Sequence, residues 1–198
     1  MENPKGLSTL RERPLRAIVV GGSAGGIDAV TVLLSALPRP LLVPVLVVLH
    51  IAAGSRTQWP IVFRSSTAPV LEAEDKDMAV PGNVYIAPPD YHLLVDDSAR
   101  LSLAADERVN LSRPSIDVLF ESAAWSFGSA VLGVVLSGAN SDGAAGLAAI
   151  RGSGGGCWVQ MPETAAAVAM PRAAIDAVPD ALVLTLREMA DALGAWVA

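Results

Sequence analysis

Residues 17–26 read AIVVGGSAGG: a short run rich in β-branched residues, two glycines, one serine and two more glycines. The residues that follow place apolar side chains three and four positions apart, which is the spacing of one helical face. The stretch therefore predicts a strand, a tight turn and a helix, with Ser23 at the helix N-terminus. A helix start offers unpaired N–H groups and the positive end of a dipole, which suits developing negative charge. Gly21, Ser23 and Gly25 also fit the G-x-S-x-G pattern of a nucleophile elbow.

A glycine-rich turn after a first strand has a second common meaning, which is a phosphate or dinucleotide loop. A Walker loop requires Gly-Lys-Ser/Thr after its glycines, and this sequence has none. A dinucleotide fold requires an acidic residue after its second strand, whereas the predicted strand from Val43 to Leu49 ends in His50. His50 therefore favours a nucleophile at Ser23 over a phosphate loop.

Length and composition bound the class of protein. With 198 residues and 52% hydrophobic side chains, one domain with a sizeable core is the default. No segment reaches the roughly 18 uninterrupted apolar residues of a membrane span, and the N-terminus lacks a signal-peptide core, so we expect a cytoplasmic protein. The net charge of −6 argues against nucleic acid as a main partner. We expect no metal, because the sequence holds neither a Cys/His cluster nor a calcium loop, and Cys157 lies in a predicted buried strand.

Strands and helices alternate along the rest of the chain. Residues 1–16 are polar, and we interpret them as a leader or linker remnant that precedes a domain over residues 17–198. The alternation predicts an α/β fold with three α/β/α layers and a doubly wound, mostly parallel sheet. Two short apolar runs on either side of residues 96–100 predict an additional β-hairpin, and an alanine-rich helix is predicted to begin near Thr164.

In such a fold, functional sites lie beyond the carboxyl ends of strands, near a topological switch point. Three reactive residues are predicted at strand ends, namely Ser23, His50 and Asp142. They are the residue types of a nucleophile, its general base and the carboxylate that orients the base. Each has a plainer interpretation, since Ser23 or Asp142 could cap a helix and His50 could be a buried histidine. The other histidine, His92, follows a proline-rich loop and is interpreted as structural or as part of a pocket rim.

Several blocks of sequence carry a family resemblance when they are taken in order. They are VGGSAGG at 20–26, VLH at 48–50, PGNVYIAP at 81–88, RPSIDVLF at 113–120, LSG at 136–138, DGAAGL at 142–147 and MP at 170–171. Together they resemble the bacterial chemotaxis protein-glutamate methylesterase (CheB-type) catalytic domain, over about residues 17–195. The glycine blocks are weak individually, whereas the RPSIDVLF segment combined with the strand-end aspartate block is highly specific.

The resemblance implies hydrolysis of glutamate γ-methyl esters on the cytoplasmic helical region of methyl-accepting chemoreceptors, with release of methanol. It also implies deamidation of receptor glutamines. The family's catalytic triad falls on Ser23, His50 and Asp142, and the oxyanion would be held by the backbone N–H groups of Ala24 and Ala139. No cofactor or metal is implied.

The sequence departs from the family's pattern at three places. Where the family usually has Met-Gly this chain has Ala139-Asn140, and its nucleophile motif reads Ser-Ala-Gly-Gly instead of Ser-Thr-Gly-Gly. We expect Ala139 to keep the backbone donor and Asn140 to tolerate a left-handed φ. Residues 1–16 cannot form the family's receiver domain or a lid, so we expect any regulation to come from a partner in trans. Two alternatives stay open: a non-catalytic receptor-binding or regulatory module of the same fold, and an esterase with another substrate.

Overall fold

A computed structural model describes residues 14–52, 54–55 and 57–195. The interpretation of residues 1–16 as a leader or linker therefore lies almost entirely outside the described residues. Strands β1 to β9 are, in chain order, Ala17–Gly22, Val45–Leu49, Val70–Glu72, Val84–Ile86, His92–Val95, Leu101–Ala104, Val131–Val135, Gly156–Gln160 and Leu182–Leu184. Helices α1 to α6 are Gly26–Ser35, Trp59–Val62, Ile116–Phe127, Ala144–Gly152, Ala169–Ala177 and Leu186–Gly194.

Seven strands form one parallel sheet in the order β3-β4-β2-β1-β7-β8-β9. The remaining pair, β5 and β6, forms an antiparallel hairpin in which Leu93 faces Leu103. The predicted three-layer α/β fold with an added hairpin is confirmed.

Side chains of the central strands alternate between two buried clusters, one on each face of the sheet. In β1, Ile18 and Val20 join α1, α2 and α6 on one face. Ala17 and Val19 join α3, α4, α5 and the hairpin on the other face. Because both faces are covered, the central strands β1, β2 and β7 are buried along their whole length.

The position of the site follows from the order in which the strands are added. The chain first places β2, β3 and β4 on one side of β1. It then crosses to place β7 on the opposite side of β1. The topological switch point therefore lies at the carboxyl ends of the paired strands β1 and β7, where ligands bind in open α/β sheets. Within the described residues, none of the helices combines the length and apolar content needed to cross a lipid bilayer.

The alanine-rich helix α5 begins at Ala169, so the predicted start near Thr164 is wrong. Pro162–Thr164 forms a separate short 3-10 turn, and a loop follows it. In that loop, the Ala167 N–H donates to a serine hydroxyl on the loop after β7, so this backbone is committed to a tertiary contact and not to a helix. Pro171 then falls in the first helical turn, where its missing N–H costs nothing, whereas an earlier start would have placed it in the helix interior.

Candidate active site

The turn after β1 presents Ser23 at the carboxyl edge of the sheet. Its N–H donates to Ser137 O at 2.9 Å, which ties the turn to the neighbouring strand-end loop. Gly25 follows with φ 75°, and a Cβ there would lie 2.5 Å from the Cβ of Ala166, so only glycine fits. The Ser23 side chain makes no capping bond to α1, so the plainer interpretation as a helix cap does not hold. Its hydroxyl remains available at a half-buried position.

Ser137 holds this turn from the β7 side. Its hydroxyl donates to Ala24 O at 2.6 Å and accepts from the Ala167 N–H at 2.9 Å. Its own N–H donates to the Gln160 side chain at 2.9 Å. One buried serine therefore connects the turn after β1, the end of β8 and the loop before α5.

His50 follows β2, directly beside the turn. Its backbone N–H donates to Gly22 O at 3.1 Å, so the residue is aligned with the end of β1. Its ring Nε2 lies 2.7 Å from Asp142 Oδ2, and its Nδ1 lies 3.4 Å from Ser112 Oγ. The side chain is 13% exposed, so it is accessible from the surface only in part.

Asp142 is fully buried and lies at the N-terminus of α3, although in sequence it precedes α4. Its carboxylate accepts five hydrogen bonds, at 2.7 to 3.2 Å, from His50 Nε2, Asn110 Nδ2, Ser115 Oγ and the backbone N–H groups of Ile116 and Asp117. The plainer interpretation, a cap of its own helix, does not hold because Gly143 caps α4. The positive end of α3 instead stabilises the Asp142 charge.

The hydrogen bonds determine the ionisation of Asp142. Burial by itself raises the pKa of this carboxyl, but the bonds from His50, Asn110, Ile116 and Ser115 outweigh burial and lower the pKa from 3.8 to about 2. An ionised carboxylate only accepts hydrogen bonds, so His50 Nε2 carries the hydrogen of this bond, and in the neutral ring the lone pair lies on Nδ1. A lone pair on the nitrogen that does not contact Asp142 is what a general base needs.

Asn110 was not predicted from the sequence. It has a φ of 52°, and its side-chain N–H groups bridge two carboxylates, at 2.7 Å to Asp117 Oδ2 and 2.9 Å to Asp142 Oδ1. Asp117 also accepts from the Gly146 N–H at 2.7 Å. Its pKa is raised, first by burial and further by the negative charge of Asp142, while the Gly146 bond acts in the opposite direction. Asn110 stands in a polar loop with no periodic pattern, so no signal in the sequence could have identified it.

The structure thus joins two of the three predicted residues and places the third beside them. His50 and Asp142 share a hydrogen bond, and Ser23 lies at the end of the adjacent strand. Within the described residues, no hydrogen bond joins Ser23 Oγ to His50. Ser112 Oγ, which the sequence did not single out, lies 3.4 Å from His50 Nδ1.

The two predicted oxyanion donors lie on the turns after β1 and β7. Ala24 and Ala139 are both exposed, and in the described part of the chain neither N–H has a hydrogen-bond acceptor. Asn140 does not have the left-handed φ that the sequence led us to consider. Its side-chain oxygen instead accepts from the Asp142 N–H at 3.3 Å. The loss of the family's glycine at this position therefore requires no strained backbone.

Two other reactive side chains are committed to structure. His92 is 2% exposed; its Nδ1 accepts from the Ser115 N–H at 3.2 Å, and its Nε2 donates to Glu107 O at 3.0 Å. This agrees with its structural interpretation. Burial raises the pKa of the Cys157 thiol to about 12, which makes it a poor nucleophile. No cluster of three or more potential metal-ligating side chains occurs among the described residues.

A cavity of about 140 Å³ opens beside His50. It is lined by the residues that follow β2 and by one loop, notably Ile51, Ala52, Arg108, Leu111, Ser112 and Arg113. Arg113 donates from Nη1 to the backbone oxygens of Ala105 and Asp106, at 2.8 Å each, so its guanidinium helps to hold that loop in place.

Comparison with known proteins points in one direction. The family model described as CheB methylesterase matches residues 18–193. A Leptospira interrogans protein, provisionally named protein-glutamate methylesterase/protein-glutamine glutaminase, is 46% identical over 88% of this chain and 91% of its own length. Protein-glutamate methylesterase FrzG of Myxococcus xanthus is 38% identical over 93% of this chain, but over only 55% of its own length. The crystal structure of the Thermotoga maritima CheB methylesterase catalytic domain superposes with a TM-score of 0.86 at 28% identity, covering 92% of this chain and 99% of that one.

Proposed function

This chain belongs to the CheB methylesterase family, and from that premise we propose that it hydrolyses γ-methyl esters of glutamate residues in chemoreceptors. The observation that carries the proposal is the buried Asp142–His50 pair at the switch point, beside a serine in a glycine turn. The same chemistry on a side-chain amide would convert receptor glutamines to glutamates, with ammonia as the leaving group in place of methanol. The substrate is the helical cytoplasmic region of the receptor, so the chain acts in the cytoplasm.

The proposed first half-reaction is acyl transfer to Ser23. The Ser23 oxygen attacks the ester carbonyl while His50 Nδ1 takes its proton, and Asp142 stabilises the resulting imidazolium through Nε2. The N–H groups of Ala24 and Ala139 hold the oxyanion of the tetrahedral intermediate. The imidazolium then protonates the leaving methoxide, so methanol departs and the glutamyl group stays on Ser23.

In the second half-reaction, water attacks the acyl-enzyme. His50 Nδ1 takes a proton from the water, the same two N–H groups hold the second oxyanion, and the proton returns to Ser23 as the glutamate carboxylate leaves. The missing Ser23–His50 hydrogen bond is compatible with this sequence, since catalytic bonds of free enzymes are often loose and tighten around substrate. Both residues stand at half-buried positions that follow the ends of the neighbouring strands β1 and β2.

Asn110 and Asp117 act in this proposal as positioning residues. Asn110 neutralises part of the repulsion between two adjacent carboxylates by donating one N–H to each. Asp117 in turn anchors the first turn of α4 through the Gly146 N–H. Asp142 is therefore held by α3 and by the loop that carries Asn110, while Asp117 ties α3 to α4, and these contacts keep the His50 ring in one orientation.

The deciding experiment is methanol release from a methylated receptor fragment by the purified chain. We expect turnover with the wild type and none above background with Ser23→Ala. Receptor binding without methanol release would support the non-catalytic alternative. Hydrolysis of small esters without any action on the receptor would support an esterase with another substrate.

A further inference from the structure

Leu111 is 89% exposed, more than any other large hydrophobic residue in the described part of the chain. Its backbone has a φ of 63°, a conformation that non-glycine residues rarely adopt. Such a residue lowers the stability of the fold in two ways: its backbone is strained, and its apolar side chain gains nothing from burial. Such an arrangement calls for a function that the folded domain alone does not explain.

The loop that carries Leu111 is held firmly. Val109 and Ser112 bond to each other's backbone at 3.2 and 2.9 Å, which closes a tight turn around residues 110 and 111. Asn110, the residue before Leu111, is bonded to Asp117 and to the catalytic candidate Asp142. The exposed side chain is therefore presented from a rigid base directly connected to the buried end of the site.

Leu111 also shares the cavity beside His50 with a cation. Arg108 lines the same cavity, and none of the ion pairs in the described part of the chain involves it. Arg113, the other cation there, is already engaged with backbone oxygens and lies 3.9 Å from Asp90. On a chain of net charge −6, an uncommitted guanidinium at the mouth of the site is a specific feature.

We propose that Leu111 and Arg108 form the surface through which the active site holds its helical protein substrate. Leu111 packs among apolar side chains between receptor helices, as a knob enters a hole, while Arg108 pairs with a glutamate carboxylate about one turn from the ester. The proposal rests on the function proposed above, and it deepens that function by separating recognition of the receptor from the chemistry.

The exposed Trp125 provides a matched control. It is 81% exposed on α3 and lies about 14 Å along the helix from Ile116, the residue whose N–H bonds Asp142. If any large exposed apolar side chain supported receptor binding, Trp125→Ala would weaken binding as Leu111 variants do. If the proposal is right, Trp125→Ala leaves receptor turnover unchanged.

The test compares two substrates, a methylated receptor fragment and a single capped glutamate γ-methyl ester, which lacks the neighbouring helix side chains that Leu111 and Arg108 would contact. Leu111→Gly suits the φ of 63° while removing the side chain, and Arg108→Ala removes the charge. For the receptor fragment we expect kcat/KM to fall roughly tenfold or more in each variant, mainly through KM. For the single residue ester we expect a several-fold smaller loss.

Three outcomes would overturn the proposal. Receptor kcat/KM within about twofold of wild type in both variants would exclude a contact, and a parallel loss on both substrates would place Leu111 in the chemistry or the fold. An equal loss in Trp125→Ala would make the effect non-specific. If the wild type hydrolyses the small ester but not the receptor, the proposed function itself fails, and that result is distinguishable because it appears before any variant is made.

Discussion

Two strand-to-helix junctions lie side by side at the centre of the sheet, one after β1 and one after β7. Both reach their helix through a glycine in the left-handed region, Gly25 at φ 75° and Gly143 at φ 93°. The first junction leaves a hydroxyl and the Ala24 N–H without hydrogen-bond partners in the described part of the chain. The second buries a carboxylate that accepts five hydrogen bonds.

The difference shows how one backbone device serves opposite purposes. A carboxylate must be fixed and ionised to orient a base, so it is buried where dipoles and N–H groups surround it. A nucleophile and an oxyanion donor must instead be unoccupied, because each hydrogen bond made in the free enzyme has to be broken when substrate arrives. The predictions that follow either remove or strengthen this contrast.

The largest expected effect comes from the open junction. Ser23→Ala removes the proposed nucleophile, and we expect kcat for methanol release to fall on the order of 10³-fold or more. Ser112→Ala is the matched control, since it removes the other hydroxyl near His50. We expect Ser112→Ala to retain activity within a few-fold of wild type. Loss of turnover in Ser112→Ala, with activity retained in Ser23→Ala, would instead make Ser112 the nucleophile.

At the buried junction, Asn110→Ala removes one of the five donors to Asp142. The pKa of Asp142 should rise from about 2 because the carboxylate loses stabilisation, and carbon-13 NMR titration of its carboxyl can measure the rise. We also expect kcat to fall roughly 10- to 100-fold, as for other residues that orient a catalytic group. A variant with lower stability but an unchanged Asp142 pKa would reduce Asn110 to a purely structural role.

Acid should remove the stabilisation that the ionised Asp142 carboxylate gives to the folded protein. The pKa of Asp142 is depressed from 3.8 to about 2, so its contribution to folding is complete above pH of about 4 and is lost as the pH falls toward 2. That contribution is roughly 2 kcal/mol. The gap in unfolding free energy between wild type and Asp142→Asn, measured by urea denaturation, should therefore narrow over this range. A gap that stays constant from neutral pH to pH of about 2 would contradict the assignment.

The smallest expected effect concerns the Ala139-Asn140 turn. Losing one oxyanion donor typically costs roughly 10² to 10³ in kcat. Because the Ala139 N–H has no hydrogen-bond acceptor among the residues that the structure describes, and Asn140 is unstrained, restoring the family residues with Ala139→Met and Asn140→Gly should raise kcat by less than about tenfold. A gain in kcat of roughly 10² to 10³ would show that the native turn does not position its oxyanion donor.

The sequence predicted the parts of the molecule in which apolar residues recur at the spacing of a strand or a helix. Buried apolar runs located the strands, and the residue after each run placed Ser23 and His50 at the edge of the sheet. The start of α5 was wrong because contacts with the loop after β7 outweigh the helix propensity of alanine there. Pro171 favours a helix that begins only one or two residues before it, and this would have corrected the predicted start.

The loop of residues 108–112 could not have been predicted. Asn110 and Leu111 both occupy the left-handed region, which asparagine tolerates but which leucine rarely adopts, so two such residues in a row are not indicated by the sequence. The partners of Asn110, Asp117 and Asp142, are brought to it by folding and not by any local spacing. The strand-end positions and the family resemblance both pointed to Ser23, His50 and Asp142, whereas the contacts that orient Asp142 and His50 became visible only in three dimensions.

The hydroxyl of Ser137 has a consequence for backbone dynamics. The Ser23 N–H donates to the Ser137 backbone oxygen, and the Ala167 N–H donates to the Ser137 hydroxyl. Two loops that are distant in sequence are therefore bonded to the same buried residue. Amide hydrogens in loops ordinarily exchange with solvent quickly, because local opening there costs little. Here we expect the Ser23 and Ala167 amides to exchange slowly and to share one opening event. Removing the hydroxyl would release the second amide, so the loop before α5 would open independently while the turn after β1 kept its own bond.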